Sequence, residues 1–305
     1  MSSAPSELAR ASGAPPSRRA SRRLPAVWLV IAACTAVAGA LRCYQLTRPG
    51  YLLGVTEYDD GVLLGNALRL VSGVIPYRDF AMVQPPGAAL FIAPVALLGK
   101  VAGTATALAV SRVLTASADT VNVVLLGLLV RHRGPVAALV ACGCYAVDPD
   151  AVIAAHTFLL EPWLNLLCLA GALAVFDGDH VAASGRRLAA GGAAFGFAAA
   201  VKVWALVPLG VVLVVLAVAT RRVRPAALLG GGAAAGLALP LLPFALLAPG
   251  ALARGVLIGQ AVRDAGGTSS PLARLADLAG AGGLPGWFPR PLRSAVRREY
   301  GPLMF

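Results

Sequence analysis

Residues 203–220, VWALVPLGVVLVVLAVAT, decide the fold class, because no position in this run carries a charge. A helix of this length reaches across most of the roughly 30 Å hydrocarbon layer of a bilayer. Lys202 stands directly before the run, and Arg221 and Arg222 stand directly after it. Charged residues therefore mark both ends of a candidate membrane span.

The composition of the whole chain agrees with this stretch. Of the 305 residues, 58% are hydrophobic and 13% are charged, and the mean hydropathy is +0.77. Soluble domains carry about 25% charged residues, and disordered chains need low hydrophobicity. Both classes are excluded, and the sequence predicts an all-α, polytopic bundle of transmembrane helices.

Apolar runs divide the chain into a tail, a membrane domain and a second tail. We expect a disordered, Arg-rich cytoplasmic tail over 1–23, a membrane domain over 24–248 and an irregular C-terminal tail over 249–305. Within 188–220 a tight hairpin is favoured over one kinked helix. About eight spans are predicted, at 24–41, 87–103, 105–130, 134–152, 158–176, 188–201, 203–220 and 225–248.

The net charge of +12 is interpreted as a topology signal, because the arginines form short groups between the apolar runs. No nucleic-acid-binding motif accompanies them, so no nucleic-acid partner is expected. The rule places the N-terminus in the cytoplasm and the loop 43–86 outside. It leaves one conflict: if Arg131 and Arg133 are cytoplasmic, residues 87–130 must cross an odd number of times. Either one of the two runs there is re-entrant, or this Arg pair lies outside.

The external loop 43–86 holds the first candidate site, Glu57-x-Asp59-Asp60. Residues 60–72 are predicted to form a short interfacial helix that starts at an Asp cap, with Gly61, Leu64, Leu68 and Val71 on one face. Adjacent carboxylates raise one another's pKa, which suits one of them to act as a general base. A helix cap with a solvated acid pair, or a Mg²⁺ or Mn²⁺ site, are the alternatives.

Further charged residues interrupt the apolar runs, and charge near a bilayer marks functional candidates. Arg78 and Asp79 are expected to pair with loop neighbours, in a turn that leads to Pro85-Pro86 at the next helix start. Arg112 and Asp119 share one helix face, which fits a buried structural pair or network, or a phosphate-binding Arg near the membrane surface. His156 and Glu161 lie near the start of a predicted span, and Glu161 is a candidate to coordinate, bind sugar hydroxyls or cap the helix. Lys202 is a candidate to snorkel or to neutralise a lipid phosphate.

The order of these motifs resembles the integral-membrane glycosyltransferases of the GT-C superfamily. It is most similar to the protein mannosyltransferase and aminoarabinose-transferase-like groups and to actinobacterial transferases that use polyprenyl-phosphate sugars. The resemblance covers about residues 24–248. It rests on EYDDGVLLGNALRLVSG (57–73), IPYRDF (75–80), QPPG (84–87), AVSRVL (109–114), FLLEPW (158–163) and AAAVKVWAL (198–206).

The resemblance implies an inverting transfer of a hexosyl or pentosyl group. A polyprenyl-phosphate sugar is the donor, and an extracytoplasmic glycan, lipid or protein is the acceptor. Asp59 matches the catalytic acid, Asp60 is its neighbour and Glu57 is held in reserve. Lys202 and Arg112 match cations for the leaving phosphate, and Glu161 matches the acidic residue that opens a later span. Some members use a divalent cation such as Mg²⁺ or Mn²⁺ and others do not. Members also have more spans, so the chain resembles a shortened relative.

Two other functions stay open at this stage. A multi-pass transporter or permease would be expected to show two similar halves and broken helices in mid-bilayer. No clear internal repeat is visible, and the acids cluster in a loop instead. An inactive, shortened transferase relative is the third possibility.

Overall fold

A computed structural model describes residues 18–54 and 58–259. About 82% of these residues are helical, which confirms the all-α class. Two-residue strands, β1 (Phe176–Asp177) and β2 (His180–Val181), pair in an antiparallel hairpin. In the described chain the α-helices are α1 (Arg18–Thr47), α2 (Tyr58–Val71), α3 (Pro86–Ala102), α4 (Thr104–Val130), α5 (Pro135–Val147), α6 (Pro149–His156), α7 (Glu161–Val175), α8 (Gly185–Val201), α9 (Leu206–Thr220), α10 (Val223–Leu247) and α11 (Pro249–Ala253).

Shorter helical turns link some of these elements. Arg131–Arg133 and Val203–Ala205 are 3₁₀ turns, and Arg254–Ile258 is a π-helical turn. Proline stands in the first turn of α3, α5, α6, α7 and α11, where its missing N–H removes no helical hydrogen bond. Gly103, between α3 and α4, has φ 90°, a conformation that glycine adopts without strain.

The number of spans differs from the prediction. Among the described residues, four helices are long and apolar enough to cross a membrane: Ala26–Thr47, Thr104–Arg133, Val203–Thr220 and Val223–Leu247. The pair α5 and α6, bent by 52°, would make a fifth span if it counts as one. The predicted runs 87–103 and 158–176 became shorter helices. A count of about eight is therefore not confirmed.

Helices α1 and α4 run antiparallel. Arg131 lies over the Trp28 ring at 5.8 Å, while Arg42, near the other end of α1, pairs with Asp119. The C-terminal end of α4 thus lies beside the N-terminal half of α1. The hairpin β1–β2 is at this end too, because Arg133 and His132 both contact Asp179. We name this the basic end.

Helix α3 packs along the first half of α4: the ring of Phe91 lies 4.6 Å from that of Trp163, which binds Thr115, and Gly99 faces Ala107. At its start, a Cβ built on Gly87 would lie 2.4 Å from the carbonyl oxygen of Ala200, in the last turn of α8. At its end, Lys100 donates to the carbonyl of Val71 at 3.2 Å, and α4 starts four residues later, at Thr104. The number of crossings within residues 87–130 stays a prediction.

Helices α8 and α10 pack in parallel through glycines. Added Cβ atoms on Gly192 and Gly196 would lie 2.0 Å from the carbonyl oxygens of Leu229 and Ala233, respectively. On the facing helix, Gly232 and Gly236 approach Ala189 and Ala193 in the same way. Both helices therefore carry the small-xxx-small spacing that lets backbones approach closely in membranes. Helix α9 connects these two parallel helices in the chain and therefore runs in the opposite direction, so 188–220 is a hairpin.

Three predicted boundaries were wrong. Helix α1 starts at Arg18 rather than 24 and continues to Thr47, because helical hydrogen bonds continue past the apolar run. Helix α2 starts at Tyr58, two residues before the expected Asp cap. The predicted tail 249–305 begins with helix, since Leu252 and Val256 are buried against the core that holds Tyr77 and Met82. Residues 1–17 and 260–305 lie outside the described residues.

Candidate functional site

The loop end is the end of the bundle where α2, the segment 72–85, the segment 157–160 and Lys202 meet. A core of buried side chains holds these parts together, among them Leu63, Leu64, Ile92, Phe158 and Val201. Most of the charged residues singled out from the sequence lie here. The packing of short helices against this core therefore positions the candidate site.

Asp60 is fully buried in the first turn of α2. One carboxylate oxygen accepts the backbone N–H of Phe158, and the other forms an ion pair with Arg112. The prediction of an Asp cap was wrong for this residue, because its carboxylate reaches across to α4 and to the start of the segment before α7. Asp60 therefore joins three parts of the chain.

Arg112 is fully buried as well, and it holds the segment before α2. Its Nη1 donates to the carbonyl oxygens of Tyr51 at 2.5 Å and Gly54 at 2.6 Å. A buried charge needs such partners, because removal from water costs several kcal/mol. The guanidinium is surrounded by protein, and its contacts include Asp60 and the carbonyl oxygens of Tyr51 and Gly54.

Asp59 differs from its neighbour. It is partly exposed, and within 18–54 and 58–259 no hydrogen bond or ion pair engages its carboxylate. Successive helical residues point about 100° apart, so burial of Asp60 turns Asp59 away from Arg112. Glu57, the reserve acid, lies outside the described residues.

Glu161 and Lys202 form an ion pair. Lys202 sits in extended backbone between α8 and the 3₁₀ turn at 203–205, and Glu161 opens α7. Their side chains are 46% and 22% exposed for Glu161 and Lys202. A pair with this much solvent access separates more readily than the buried pair Asp60–Arg112.

His156 lies against the segment that Arg112 holds. It is buried, and its ring stands 4.8 Å from the ring of Tyr51. Its Nδ1 is 3.4 Å from the carbonyl oxygen of Val152, one turn earlier. His156 thus fills space behind the loop 51–54 rather than projecting toward Glu161 or Lys202.

Arg78 and Asp79 pair with each other at the surface. Arg78 Nε donates to Asp79 Oδ1 at 2.8 Å and Nη2 donates to Oδ2 at 2.9 Å. Asp79 also accepts the backbone N–H of Ile75 at 2.7 Å. The hydrogen bond from Arg78, and then that from Ile75, hold the pKa of Asp79 below its ordinary value. The predicted pairing with loop neighbours is what the structure has.

The structure thus brings the predicted residues together in smaller groups. Asp60, Arg112 and His156 form one group, and Glu161 and Lys202 form another. The segment 158–163 connects them: Phe158 binds Asp60, and Trp163 donates to Thr115 of α4 at 3.1 Å. Arg78 and Asp79 stand on a separate turn. In the described chain, no hydrogen bond or ion pair joins Lys202 to Asp60 or Arg112.

Arg112 and Asp119 are both buried, as the expected structural pair or network requires, but they do not pair with each other. Asp119 instead binds Arg42 of α1, whose Nε donates to its Oδ2 at 2.6 Å. Tyr145 donates to Asp119 Oδ1 at 2.5 Å, and Asn122 donates to the carbonyl of Pro162 at 2.8 Å. The sequence analysis missed this network. Its signal was a set of polar residues, Asn122 among them, inside apolar runs.

A metal site finds no further support in the described residues, which contain no group of three or more His, Cys, Asp or Glu side chains placed to hold an ion. Asp59 and Asp60 point to different surroundings. Glu57, the third acid of the motif, is outside the described chain.

Comparison with known proteins adds no identification. No family model, curated protein or solved structure matches this chain.

Proposed function

We propose that the chain is a membrane glycosyltransferase of GT-C type, which moves a sugar from a polyprenyl-phosphate donor to an acceptor outside the cytoplasm. The main support for this proposal is that two adjacent acids have different surroundings. Asp60 is buried and tied to Arg112, while Asp59 keeps a partly exposed carboxylate at the loop end. A general base needs such an accessible carboxylate within reach of the acceptor.

In this reaction Asp59 and Lys202 act directly, and Arg112 has a positioning role. Asp59 takes the proton of an acceptor hydroxyl, and that oxygen forms a bond to the anomeric carbon of the sugar. The bond from this carbon to the phosphate oxygen breaks, and polyprenyl phosphate leaves with the electron pair. Lys202, after separating from Glu161, stabilises the negative charge on the leaving phosphate.

Arg112 has a positioning role in this mechanism. It is fully buried and holds both Asp60 and the loop 51–54, so its contribution is to fix the start of α2. Because the pair holds Asp60 in place, it also fixes the direction in which the neighbouring Asp59 points. This differs from the phosphate contact that the family resemblance implies for Arg112.

The membrane setting supports a lipid-linked donor. Four described helices are long and apolar enough to cross a bilayer, and the loop end lies away from the arginine-rich basic end. Under the positive-inside rule the basic end faces the cytoplasm. The proposed site then lies at the opposite leaflet, where a polyprenyl chain stays in the bilayer while its phosphate reaches the surface.

Product analysis in vesicles tests the proposal. The full chain is reconstituted with a panel of radiolabelled polyprenyl-phosphate sugars and candidate acceptors, and protein-free vesicles serve as the control. We expect free polyprenyl phosphate and a labelled acceptor for one donor. If the donor changes leaflet but stays intact, the protein is a permease and not a transferase. If no donor is consumed or moved, the transferase proposal fails.

A further inference from the structure

A second charged surface lies at the loop end, apart from Asp59. The turn 77–82 and residues 251–255 line an open cavity of about 480 Å³. Arg78 and Asp79 line one side of it, and Arg254 of the π-helical turn lines the other. π-Helical turns are rare and occur often at functional sites.

The cavity carries an excess of positive charge. Asp79 is its acidic lining residue and already pairs with Arg78 through Nε and Nη2. Arg254 is exposed, and no ion pair engages it within the described chain. Arg69 adds a third cation nearby, with its guanidinium 5.1 Å from the ring of Phe80, another lining residue. An anion is therefore the complementary ligand.

Apolar surface continues directly from this cationic cavity. Leu257 and Ile258 follow Arg254 on the same turn and are 64% and 55% exposed, and Val83 is 41% exposed. Val83 lies close by, since a Cβ built on Gly259 would be 3.5 Å from it. A soluble anion gains nothing from these side chains, whereas a lipid places an acyl chain on them.

The position along the bundle matches a headgroup. Helix α10 spans 25 residues from Val223 to Leu247, which corresponds to about 37 Å and exceeds the roughly 30 Å hydrocarbon layer. Residues 249–258 therefore lie at the bilayer surface opposite to Arg222. Arginine at this depth meets lipid phosphates, which its planar fork binds in a bidentate manner.

We propose that the cavity between 77–82 and 251–255 binds the phosphate of an anionic phospholipid in the leaflet at the loop end. Arg254 is the main contact, Arg78 contributes Nη1, and Leu257 and Ile258 pack against the lipid chain. This site is separate from the proposed sugar transfer and stands whether or not the chain is a transferase.

Photo-crosslinking of the full chain in vesicles tests this site. Phosphatidylcholine vesicles contain a small fraction of photoactivatable phosphatidylglycerol or, in the second arm, photoactivatable phosphatidylcholine, and labelled peptides are mapped by mass spectrometry. We expect phosphatidylglycerol to label residues 77–83 and 251–258 well above phosphatidylcholine. Equal labelling of these residues by both lipids would overturn the proposal.

Matched variants assign the labelling to Arg254. Arg254→Gln is expected to lower it about fivefold, the contribution of one basic residue at a bilayer surface, while Arg254→Lys keeps most of it. Arg222→Gln, at the basic end, leaves it unchanged. Unchanged labelling in Arg254→Gln, or an equal loss in Arg222→Gln, contradicts the site, and competition by millimolar inorganic phosphate contradicts the lipid as its ligand.

Discussion

Asp59 and Asp60 are chemically identical neighbours in the first turn of α2, and their surroundings give them different roles. Asp60 satisfies a buried guanidinium and a backbone N–H. Asp59 keeps solvent access. A charge without a partner is unfavourable inside the bundle, so the buried Asp60 needs its partners while Asp59 does not. Burial, and not order in the sequence, therefore decides which acid has which role.

Replacement of Arg112 by Met tests the buried pair. We expect the free energy of unfolding to fall by about 3–5 kcal/mol, because Asp60 is left buried without its counter-charge. Arg78→Met makes the same change in an exposed pair and should cost much less stability, because solvent screens that pair. Thermal unfolding of both purified variants in one detergent measures the difference. Equal losses would contradict the structural role of Arg112.

At the scale of elements, the contact between α8 and α10 depends on the absence of side chains. Gly196→Ala places a methyl group where the carbonyl of Ala233 lies, so the helices must separate, at a cost of about 1–3 kcal/mol. Gly230→Ala on α10 is the matched control, since an added Cβ there meets no atom within 4 Å and alanine favours helix by about 1 kcal/mol.

Thermal unfolding of the two glycine variants gives the comparison. Gly196→Ala should melt below the parent chain, while Gly230→Ala should melt at or above it. A Gly196→Ala protein as stable as Gly230→Ala would show that α8 and α10 do not pack this closely.

The hairpin β1–β2 at the basic end is expected to respond to acid. Hydrogen bonds from Arg133 and then His132 hold the pKa of Asp179 below its ordinary value of 3.8. The stability from this contact is therefore complete above the unfolded pKa and is lost as the pH falls through the lower, folded pKa. Hydrogen exchange at residues 176–181 should rise in that range.

Asp179→Asn provides the control for this titration. The variant should show faster exchange in the hairpin at neutral pH and no further rise from this contact on acidification. An acid response of equal size in Asp179→Asn would assign the effect to other groups.

For the molecule as a whole, local sequence signals located the helices but not their pairing. The apolar runs placed α4, α9 and α10 within a few residues of their observed bounds. Arg42 directly follows the first predicted run, 24–41, and had no predicted role, yet it binds Asp119, 77 positions away. Such partners depend on how helices align in space, and a single sequence carries no direct record of that alignment.

The candidate site was also predicted only in part: its residues were identified, but most of their partners were not. Glu161 and Lys202 were each identified as functional candidates, and the structure joins them in an ion pair that was not predicted. For Arg112, a buried pair or network and a phosphate contact were both open, and its partner Asp60, 52 positions away, could not be read from the motif AVSRVL. The count of about eight spans is not confirmed, because the apolar run 87–103 forms a helix of 17 residues, which is shorter than the candidate spans.

The most direct test of the account is the rate of sugar transfer by the Asp59→Asn protein, per folded molecule, in vesicles with the donor that the parent chain uses. Loss of the general base should lower the rate by about 10²–10⁴-fold, with an unchanged melting temperature because Asp59 is partly exposed. Asp177→Asn, in the 74% exposed position at the hairpin, should keep the parent rate. Transfer by Asp59→Asn within twofold of the parent chain would contradict the assignment of Asp59 and the mechanism built on it.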